Sequence, residues 1–295
     1  MRVAILGCGY VGLELGRQLG PDHEVVGVRR SEAGLAAVED AGLTAVEADV
    51  TDDGSLSAVP DADAVVFAAS SGGRGAAAAR EVYVDGLRTA VDHFCAREEA
   101  PDRIVYTSST GVYGDHDGAL VDEETPIEPT TEKTEVLAEA ESIALERPTE
   151  MCDGTVARFA GLYGPERYRL ERYVEGPVTE GYLSMVHRDD AAGAVRYLLE
   201  TGRASGEVVN VVDDEPVAKW AFADWLADQC GVEAPPKRTV EERLAAEDLS
   251  ATVERRLRTS KRVDNAKLRE LGYEFRYPTF REGYRAAVES YSADR

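Results

Sequence analysis

The stretch Arg2-Val-Ala-Ile-Leu-Gly7-Cys-Gly9-Tyr-Val-Gly12 decides the fold of this chain of 295 residues. It opens with the apolar run Val3–Leu6, continues with three glycines spaced as G-x-G-x-x-G, and leads into a helical pattern at Val11–Leu19. A buried strand, a tight glycine turn and a helix, in this order, are typical of the first βα unit of an α/β sheet. The spacing alone is weak evidence, and its place between strand and helix makes it specific.

The same alternation of short apolar runs and helical patterns continues to about residue 160. Nearly continuous apolar runs are typical of strands that are buried on both faces of a parallel sheet. The predicted strands are Val3–Leu6, Glu24–Val28, Thr44–Glu47, Ala64–Ala68, Arg103–Thr107 and Thr155–Phe159. The predicted helices are Val11–Leu19, Ser31–Ala41, Arg74–Arg97 and Glu132–Glu146. This pattern predicts the α/β class with a doubly wound parallel sheet.

The three glycines have separate roles in a turn of this kind. Gly7 allows the tight turn, Gly9 lets the backbone approach a pyrophosphate, and Gly12 permits close packing of the helix on the sheet. Tyr10 and Val11 open the helix, whose N–H groups and positive dipole end attract phosphate. The turn therefore predicts a dinucleotide-binding site, and a purely structural glycine turn is the alternative.

The end of the second predicted strand is cationic. It reads Val25-Val-Gly-Val-Arg29-Arg30-Ser31. A site for NAD needs a carboxylate here that accepts hydrogen bonds from the ribose hydroxyls, whereas a guanidinium fork fits the 2′-phosphate of NADP. The predicted cofactor is therefore NADP, and NAD is less favoured. The alternative is a pair of solvated arginines at a strand end.

Further motifs follow the later strands. They are Asp49-Val50, Val65-Val-Phe-Ala68-Ala69-Ser70, Ile104–Gly114, Ala157–Pro165, Val186–Asp190 and Asn210–Pro216. With the glycine turn, these motifs resemble those of the extended short-chain dehydrogenase/reductase family, the NAD(P)-dependent epimerases and dehydratases, over nearly the whole chain. The G-x-G-x-x-G spacing is similar to that of the atypical branch. The resemblance implies a Rossmann fold in which Asp49 and Val50 contact the adenine and Ala68, Ala69 and Ser70 pass under the cofactor.

In the family that the chain resembles, a Tyr and a Lys four residues apart on one helix exchange a proton with the substrate. A Ser or Thr of the fifth strand binds the same oxygen, and Ser109 occupies that position. Alignment on Val136-Leu-Ala-Glu139 puts Thr131 where the Tyr belongs and Glu135 where the Lys belongs, and no Tyr-x-x-x-Lys occurs in the chain. Ser109, Thr131 and Glu135 are thus the candidate catalytic positions, but the usual mechanism is not expected.

The regular alternation weakens after about residue 160. The sequence predicts a dinucleotide-binding domain at residues 1–160, completed by 187–215, and a smaller, mostly helical substrate-binding region at 161–186 and 216–295. The first part of that region is rich in Gly, Tyr and Arg and resembles a substrate wall. The candidate substrate contacts are Tyr113, Arg158, Tyr163, Arg167 and His187. Packing is the alternative for the two tyrosines, and helix capping is the alternative for His187.

The composition is strongly acidic. The formal net charge is −23, and only five of the 33 basic residues are lysine. Such a charge repels phosphate backbones and anionic lipid surfaces, so neither nucleic acid nor a membrane is the expected partner. Excess acid with scarce lysine is typical of proteins from a salt-rich cytoplasm, and we expect a halophilic source. An ordinary acidic soluble protein is the alternative.

The chain carries no signal for a membrane, a metal or a disulfide framework. No stretch approaches 18 uninterrupted apolar residues, and Val3–Leu6 is too short for a signal peptide, so we expect a cytoplasmic protein. The four cysteines form no C-x-x-C and have no histidine cluster nearby, which predicts reduced thiols and no metal site.

Two functions remain open from the sequence. The first is an NADP(H)-dependent oxidoreductase or epimerase/dehydratase that acts on a small carbonyl, hydroxyl or sugar-nucleotide substrate without the usual dyad. The second is a non-catalytic NADP(H)-binding redox sensor or regulatory protein, which explains the missing dyad directly. The expected oligomeric state is a monomer or a homodimer.

Overall fold

The computed structural model describes residues 1–73, 75–149 and 152–293. The chain divides into a first unit of residues 1–112, 129–159 and 188–211 and a second unit of residues 113–128, 160–187 and 212–295. The sequence-based boundaries placed residues 113–128 in the dinucleotide-binding domain. The structure assigns them to the second unit, because Leu120–Val121 pairs in parallel with Arg262–Val263.

Strands and helices alternate along most of the described chain. The strands are β1 (Arg2–Leu6), β2 (Glu24–Arg29), β3 (Thr44–Glu47), β4 (Ala64–Phe67), β5 (Arg103–Ser109), β6 (Leu120–Val121), β7 (Asp153–Phe159), β8 (Gly161–Tyr163), β9 (Val178–Thr179), β10 (Tyr182–Leu183), β11 (Met185–His187), β12 (Val208–Val211), β13 (Val217–Ala218), β14 (Lys237–Arg238) and β15 (Arg262–Val263). The α-helices are α1 (Tyr10–Leu19), α2 (Glu32–Asp40), α3 (Asp53–Leu56), α4 (Ala76–Arg80), α5 (Leu87–Cys95), α6 (Glu132–Glu146), α7 (Leu170–Glu175), α8 (Arg188–Thr201), α9 (Lys219–Cys230), α10 (Val240–Ala246), α11 (Ala251–Arg258), α12 (Ala266–Glu270), α13 (Phe280–Gly283) and α14 (Arg285–Ala293). A π-helical stretch covers Glu81–Gly86, and a 3₁₀ helix covers Thr110–Tyr113.

The first unit is built on a seven-stranded sheet in the order β12-β7-β5-β4-β1-β2-β3. All its neighbouring strands run parallel. The order reverses beside β1, because the chain first adds β2 and β3 on one side and then crosses to β4 on the other. The predicted α/β class with a doubly wound parallel sheet is confirmed, and each predicted strand lies in this sheet.

One predicted helix differs in its internal geometry. The range Arg74–Arg97 was predicted as a single helix, and its described part is α4, the π-helical stretch Glu81–Gly86 and α5 in succession. Arg74 itself lies outside the described residues. A π turn holds more residues than an α turn, so it rotates the side chains that follow it, and such turns are frequent at functional sites.

The second unit combines four two-stranded sheets with α7 and with α9 to α14. The strand pairs are β6 with β15, β8 with β11, β9 with β14 and β10 with β13. An aromatic and aliphatic cluster that includes Phe222, Leu226, Phe280 and Tyr284 forms its core. The expected helical C-terminal region is confirmed. Among the helices of the described residues, none is both long and apolar enough to cross a membrane.

A buried ion pair joins α6 to the sheet of the first unit. Glu141 on α6 and Arg158 on β7 are only 4% and 5% exposed. The Arg158 guanidinium donates to both carboxylate oxygens of Glu141, with Nη2 2.7 Å from Oε2 and Nε 3.0 Å from Oε1. The Ser108 hydroxyl on β5 donates to the same Oε1 at 2.6 Å. Each polar group therefore has a partner, which burial away from water requires.

Loss of this carboxylate should be costly to stability. In a Glu141→Ala variant the Arg158 charge stays buried without a counter-ion, and removal of one partner of a buried pair costs about 3–5 kcal/mol. We expect that loss in the free energy of unfolding, measured by urea denaturation followed by circular dichroism. Glu139→Ala on the same helix is the matched control, because Glu139 pairs with Arg80 near the surface, and it should cost much less. Equal losses in the two variants would contradict the role of the buried pair.

Candidate nucleotide-binding site

The glycine turn after β1 contacts the chain that follows β4. Gly7 has φ +81°, and a Cβ atom at this position would lie 2.2 Å from the Cα of Ala69. No side chain fits at that distance from a backbone, so the turn needs glycine for its close approach as well as for its conformation. Ala69, the middle residue of the predicted segment Ala68–Ser70, is therefore held directly against the turn.

The other two glycines make room for different neighbours. Gly9 precedes α1 as its N-cap residue, and a Cβ atom there would lie 2.9 Å from Nη1 of Arg29. A Cβ atom at Gly12 would lie 3.0 Å from the side chain of Ile5 on β1. Gly9 thus admits a guanidinium beside the turn, and Gly12 lets α1 pack closely on the sheet.

Tyr10 opens α1, and the Arg188 guanidinium lies 5.4 Å from its ring centroid. The predicted Val11 is half-buried in the first turn of α1.

A cavity of about 380 Å³ opens beside the glycine turn. Seven of the residues predicted to bind the cofactor line it: Gly7, Arg29, Arg30, Ser31, Asp49, Val50 and Ser70. Val28, Ala48, Gly72 and Val82 complete the lining. Sequence reasoning missed Val82, because its position depends on the π-helical stretch. Gly72 was also missed, although the Gly-Gly pair that follows Ser70 and Ser71 could have indicated a loop residue close to the cofactor.

Two arginines set the charge of this cavity. Arg29 Nη1 donates to the carbonyl of Cys8 at 3.1 Å, so the guanidinium is fixed next to the glycine turn. Arg30 Nη1 lies 3.4 Å from the Asp49 carboxylate, and this pair is partly exposed to solvent. The Asp49 carboxylate accepts hydrogen bonds from Thr51, and these bonds with the charge of Arg30 lower the pKa of Asp49. The cavity therefore carries two cations and one carboxylate.

Ser31 has a local structural role as well. Its Oγ accepts a hydrogen bond from the Gly34 N–H at 3.3 Å and caps α2. The cap begins α2 directly after the two arginines, so Arg29 and Arg30 lie at the junction of strand and helix. No carboxylate stands in the segment 29–31 where an unphosphorylated ribose would need an acceptor.

The candidate catalytic positions lie at the end of β5 and the start of α6. The Ser109 hydroxyl accepts from the Gly111 N–H at 3.1 Å. Thr131 does not lie within α6 but is its N-cap residue. Its hydroxyl accepts a hydrogen bond from the Thr134 N–H at 2.9 Å, and the Thr134 hydroxyl accepts one from the Thr131 N–H at 3.0 Å. Glu135 is exposed in the first turn of α6, where its negative charge interacts favourably with the positive end of the helix dipole.

The predicted substrate contacts are mostly buried. Tyr113, Tyr163 and His187 are 0%, 3% and 2% exposed in the second unit, and the Tyr163 ring stacks on Tyr284 with centroids 4.9 Å apart. Arg167 is exposed. Arg158 lies in the first unit against Glu141, so the structure gives it a structural partner. Sequence reasoning missed that partner, although an arginine within a buried strand signals that a carboxylate must face it. The substrate roles of all five residues remain predictions.

Metal ligation has no support in the described parts of the chain. No group of three or more His, Cys, Asp and Glu side chains comes together there in a form that could hold a metal ion.

The chain is similar to known nucleotide-binding proteins over most of its length. A family model described as NAD(P)H-binding matches residues 7–201. Protein YeeZ of Escherichia coli (strain K12) is 30% identical over 286 residues, which cover 94% of this chain and 96% of that protein.

Solved structures are also similar to this chain over nearly its whole length. A protein described as an NAD-dependent epimerase/dehydratase from Methylobacillus flagellatus is 29% identical with a TM-score of 0.77, and the match covers 98% of each chain. The human epimerase family protein SDR39U1, solved with NADPH, has the same TM-score at 18% identity and full coverage of both chains. The second likeness shows the fold alone. From the family model and the relatives together, the chain belongs to the NAD(P)H-binding family and has the fold of the epimerase/dehydratase-like short-chain dehydrogenases/reductases.

Proposed function

We propose that this protein is an NADP(H)-dependent oxidoreductase or epimerase/dehydratase that acts on a small carbonyl, hydroxyl or sugar-nucleotide substrate. The observation that carries the cofactor preference is the pair Arg29 and Arg30 in the wall of the cavity beside the glycine turn. NAD is the alternative cofactor, and a relative 29% identical to this chain is described as NAD-dependent.

The residues present fit a dinucleotide. A cavity of about 380 Å³ opens beside Gly7, and the N-terminus of α1 would present N–H groups to a pyrophosphate. Arg29 and Arg30 would then bind the 2′-phosphate through charge-assisted hydrogen bonds, with Ser31 as a further donor. Asp49 and Val50 would contact the adenine, and the backbone of Ala68, Ala69 and Ser70 would lie under the cofactor.

Catalysis would have to proceed without the family dyad. The cofactor, when bound, supplies or accepts the hydride, and the protein orients the two reactants. Ser109 is the residue best placed to hold a substrate oxygen, because it ends β5 at the carboxyl edge of the sheet. Thr131 is engaged as a helix cap and Glu135 is anionic, so neither supplies the proton donor that a Tyr beside a Lys provides.

A non-catalytic NADP(H)-binding redox sensor is the second candidate. The capping box of Thr131 favours it, because the position that should hold the catalytic Tyr serves to start α6 instead. A sensor would keep every cofactor contact and would need no general acid.

The cofactor preference is tested by charge removal at the cavity. In an Arg30→Gln variant we expect the Kd for NADPH to rise about 10- to 100-fold, the equivalent of one or two charge-assisted hydrogen bonds. The Kd for NADH should change little, because a bare ribose has no phosphate to lose. Fluorescence titration of the reduced cofactor measures both constants.

Arg17→Gln is the matched control for this experiment. Arg17 is an exposed arginine of α1 whose Nη1 lies 3.8 Å from Glu14, so its loss removes the same charge from a residue that does not line the cavity. Tighter binding of NADH than of NADPH to the unaltered protein would contradict the preference for NADP.

Turnover separates the enzyme from the sensor. With a panel of carbonyl compounds we expect NADPH oxidation that falls about 10²- to 10⁴-fold in Ser109→Ala, as loss of proton transfer or oxygen binding commonly does, while NADPH affinity stays unchanged. Thr125→Ala, which removes a hydroxyl bonded to Asp122 in a surface turn, is the control. Tight NADPH binding without turnover of any compound would favour the sensor.

A further inference from the structure

Two cysteines of the first unit lie in contact. Cys95 is the last residue of α5, and Cys152 directly precedes β7. Their sulfur atoms are 2.6 Å apart and share a hydrogen bond, although 57 positions separate the two residues in the chain. All four cysteines of the chain are described, and each is present as a thiol. The fold therefore brings two of these thiols together that no local sequence motif would pair.

The surrounding structure holds the two sulfurs close to each other. Asp92 on α5 and Arg147, which follows α6, form an ion pair with Nε 2.5 Å from Oδ1 and Nη2 2.6 Å from Oδ2. The Cys152 N–H donates to the Thr149 carbonyl at 3.0 Å. Cys152 belongs to the hydrophobic core of the first unit, and Cys95 packs against that core. An ion pair and apolar packing thus join the end of α5 to the segment that leads into β7.

The two thiols differ in access and in acidity. Cys95 is half-buried, whereas Cys152 is 1% exposed. The hydrogen bond with the Cys152 thiol, together with one from the Thr149 backbone, lowers the pKa of Cys95 against the effect of burial. The same hydrogen bond and burial raise the pKa of Cys152. The thiolate is the nucleophilic form of cysteine, so Cys95 is the thiol that reacts first with an oxidant.

Cys8 provides an internal contrast. It is fully buried beside the glycine turn, and burial raises its pKa to about 12. A thiol of this kind forms little thiolate near neutral pH and is inert. Access and a neighbouring thiol therefore distinguish Cys95 from a cysteine that serves only packing.

We propose that Cys95 and Cys152 are a redox-active pair, which a peroxide oxidises to an intrachain disulfide. The sulfurs of a disulfide are about 2.0 Å apart, so the pair needs an approach of only about 0.6 Å from its present contact. The crosslink would join the end of α5 to the start of β7 and close a loop of chain that includes β5 and α6. Neither cysteine lines the cavity beside the glycine turn, so this assignment does not rest on the proposed function.

The oxidation balances in two steps. The Cys95 thiolate attacks one oxygen of hydrogen peroxide and breaks the O–O bond, which gives a sulfenic acid on Cys95 and releases hydroxide. The Cys152 sulfur then attacks the sulfenic sulfur, the S–OH bond breaks, and the hydroxyl leaves with the Cys152 proton as water. The two thiols lose two electrons, and the peroxide is reduced to water. A dithiol such as dithiothreitol reverses the crosslink by thiol–disulfide exchange and is itself oxidised to a cyclic disulfide.

The test uses the full chain, which is reduced, freed of reductant and treated with an equimolar amount of hydrogen peroxide. We expect the mass to fall by about 2 Da as two hydrogens leave, and a digest to contain one linked peptide pair with Cys95 and Cys152. Dithiothreitol should reverse both changes. The crosslink closes a loop in the unfolded chain, so the Tm of the oxidised protein should rise by about 5–10 °C, measured by differential scanning calorimetry.

Serine variants identify the thiols that react. Cys95→Ser should abolish both the crosslink and the rise in Tm. Cys95 is half-buried at a helix end, so this variant keeps the test valid if Cys152→Ser does not fold. The matched control is Cys230→Ser, which removes a half-buried thiol from the end of α9 in the second unit. It should form the crosslink and show the same rise in Tm as the unaltered protein.

Three results would each overturn the proposed pair. The first is an unchanged mass after peroxide treatment. The second is a disulfide that involves Cys8 or Cys230, or one that links two chains. The third is oxidation of Cys95 to a sulfinic acid without a crosslink, because a resolving thiol in contact should intercept the sulfenic acid.

Discussion

The first unit depends on the contact between Gly7 and the backbone of Ala69. β1 and β4 are neighbours in the sheet, and the chain leaves both strands at the same edge. With 2.2 Å between an added Cβ and the Ala69 Cα, any side chain at Gly7 would force these two segments apart. The contact lies where the strand order reverses, which is where open parallel sheets bind their ligands. The absence of a side chain at Gly7 thus determines the conformation of the turn and brings Ala69 close to it, beside the cavity that Gly7 lines.

Electrostatics acts locally in this protein. The net charge of −23 is a property of the whole chain. The local charge differs from it at particular arginines. Arg158 is buried and fully engaged by Glu141, so it supports the fold. Arg29 and Arg30 line a cavity, where we propose that they bind a phosphate. The two environments differ in burial, because the Arg158–Glu141 pair is shielded from water and the Arg30–Asp49 pair is partly exposed.

The start of α6 gives the two predicted catalytic positions Thr131 and Glu135 a structural role. A Tyr has no short side-chain acceptor that could cap a helix, whereas Thr131 accepts from the Thr134 N–H and begins α6 at Glu132. Glu135 then stands in the first turn, where a carboxylate is favoured and a lysine is not. Thr131 and Glu135 therefore both stabilise the start of α6.

The sequence by itself determined the α/β class and the parallel sheet, because strands buried on both faces appear as apolar runs and a glycine turn follows the first of them. It also placed Arg29, Arg30 and Asp49 at or just after strand ends, and these residues line the cavity beside the glycine turn. Only the tertiary structure decided what joins residues distant in the chain. Glu141 and Arg158 stand 17 positions apart, and Val82 reaches the cavity from a π-helical stretch. Local pattern fixes a strand or a turn, but a side chain's partner depends on how the elements pack.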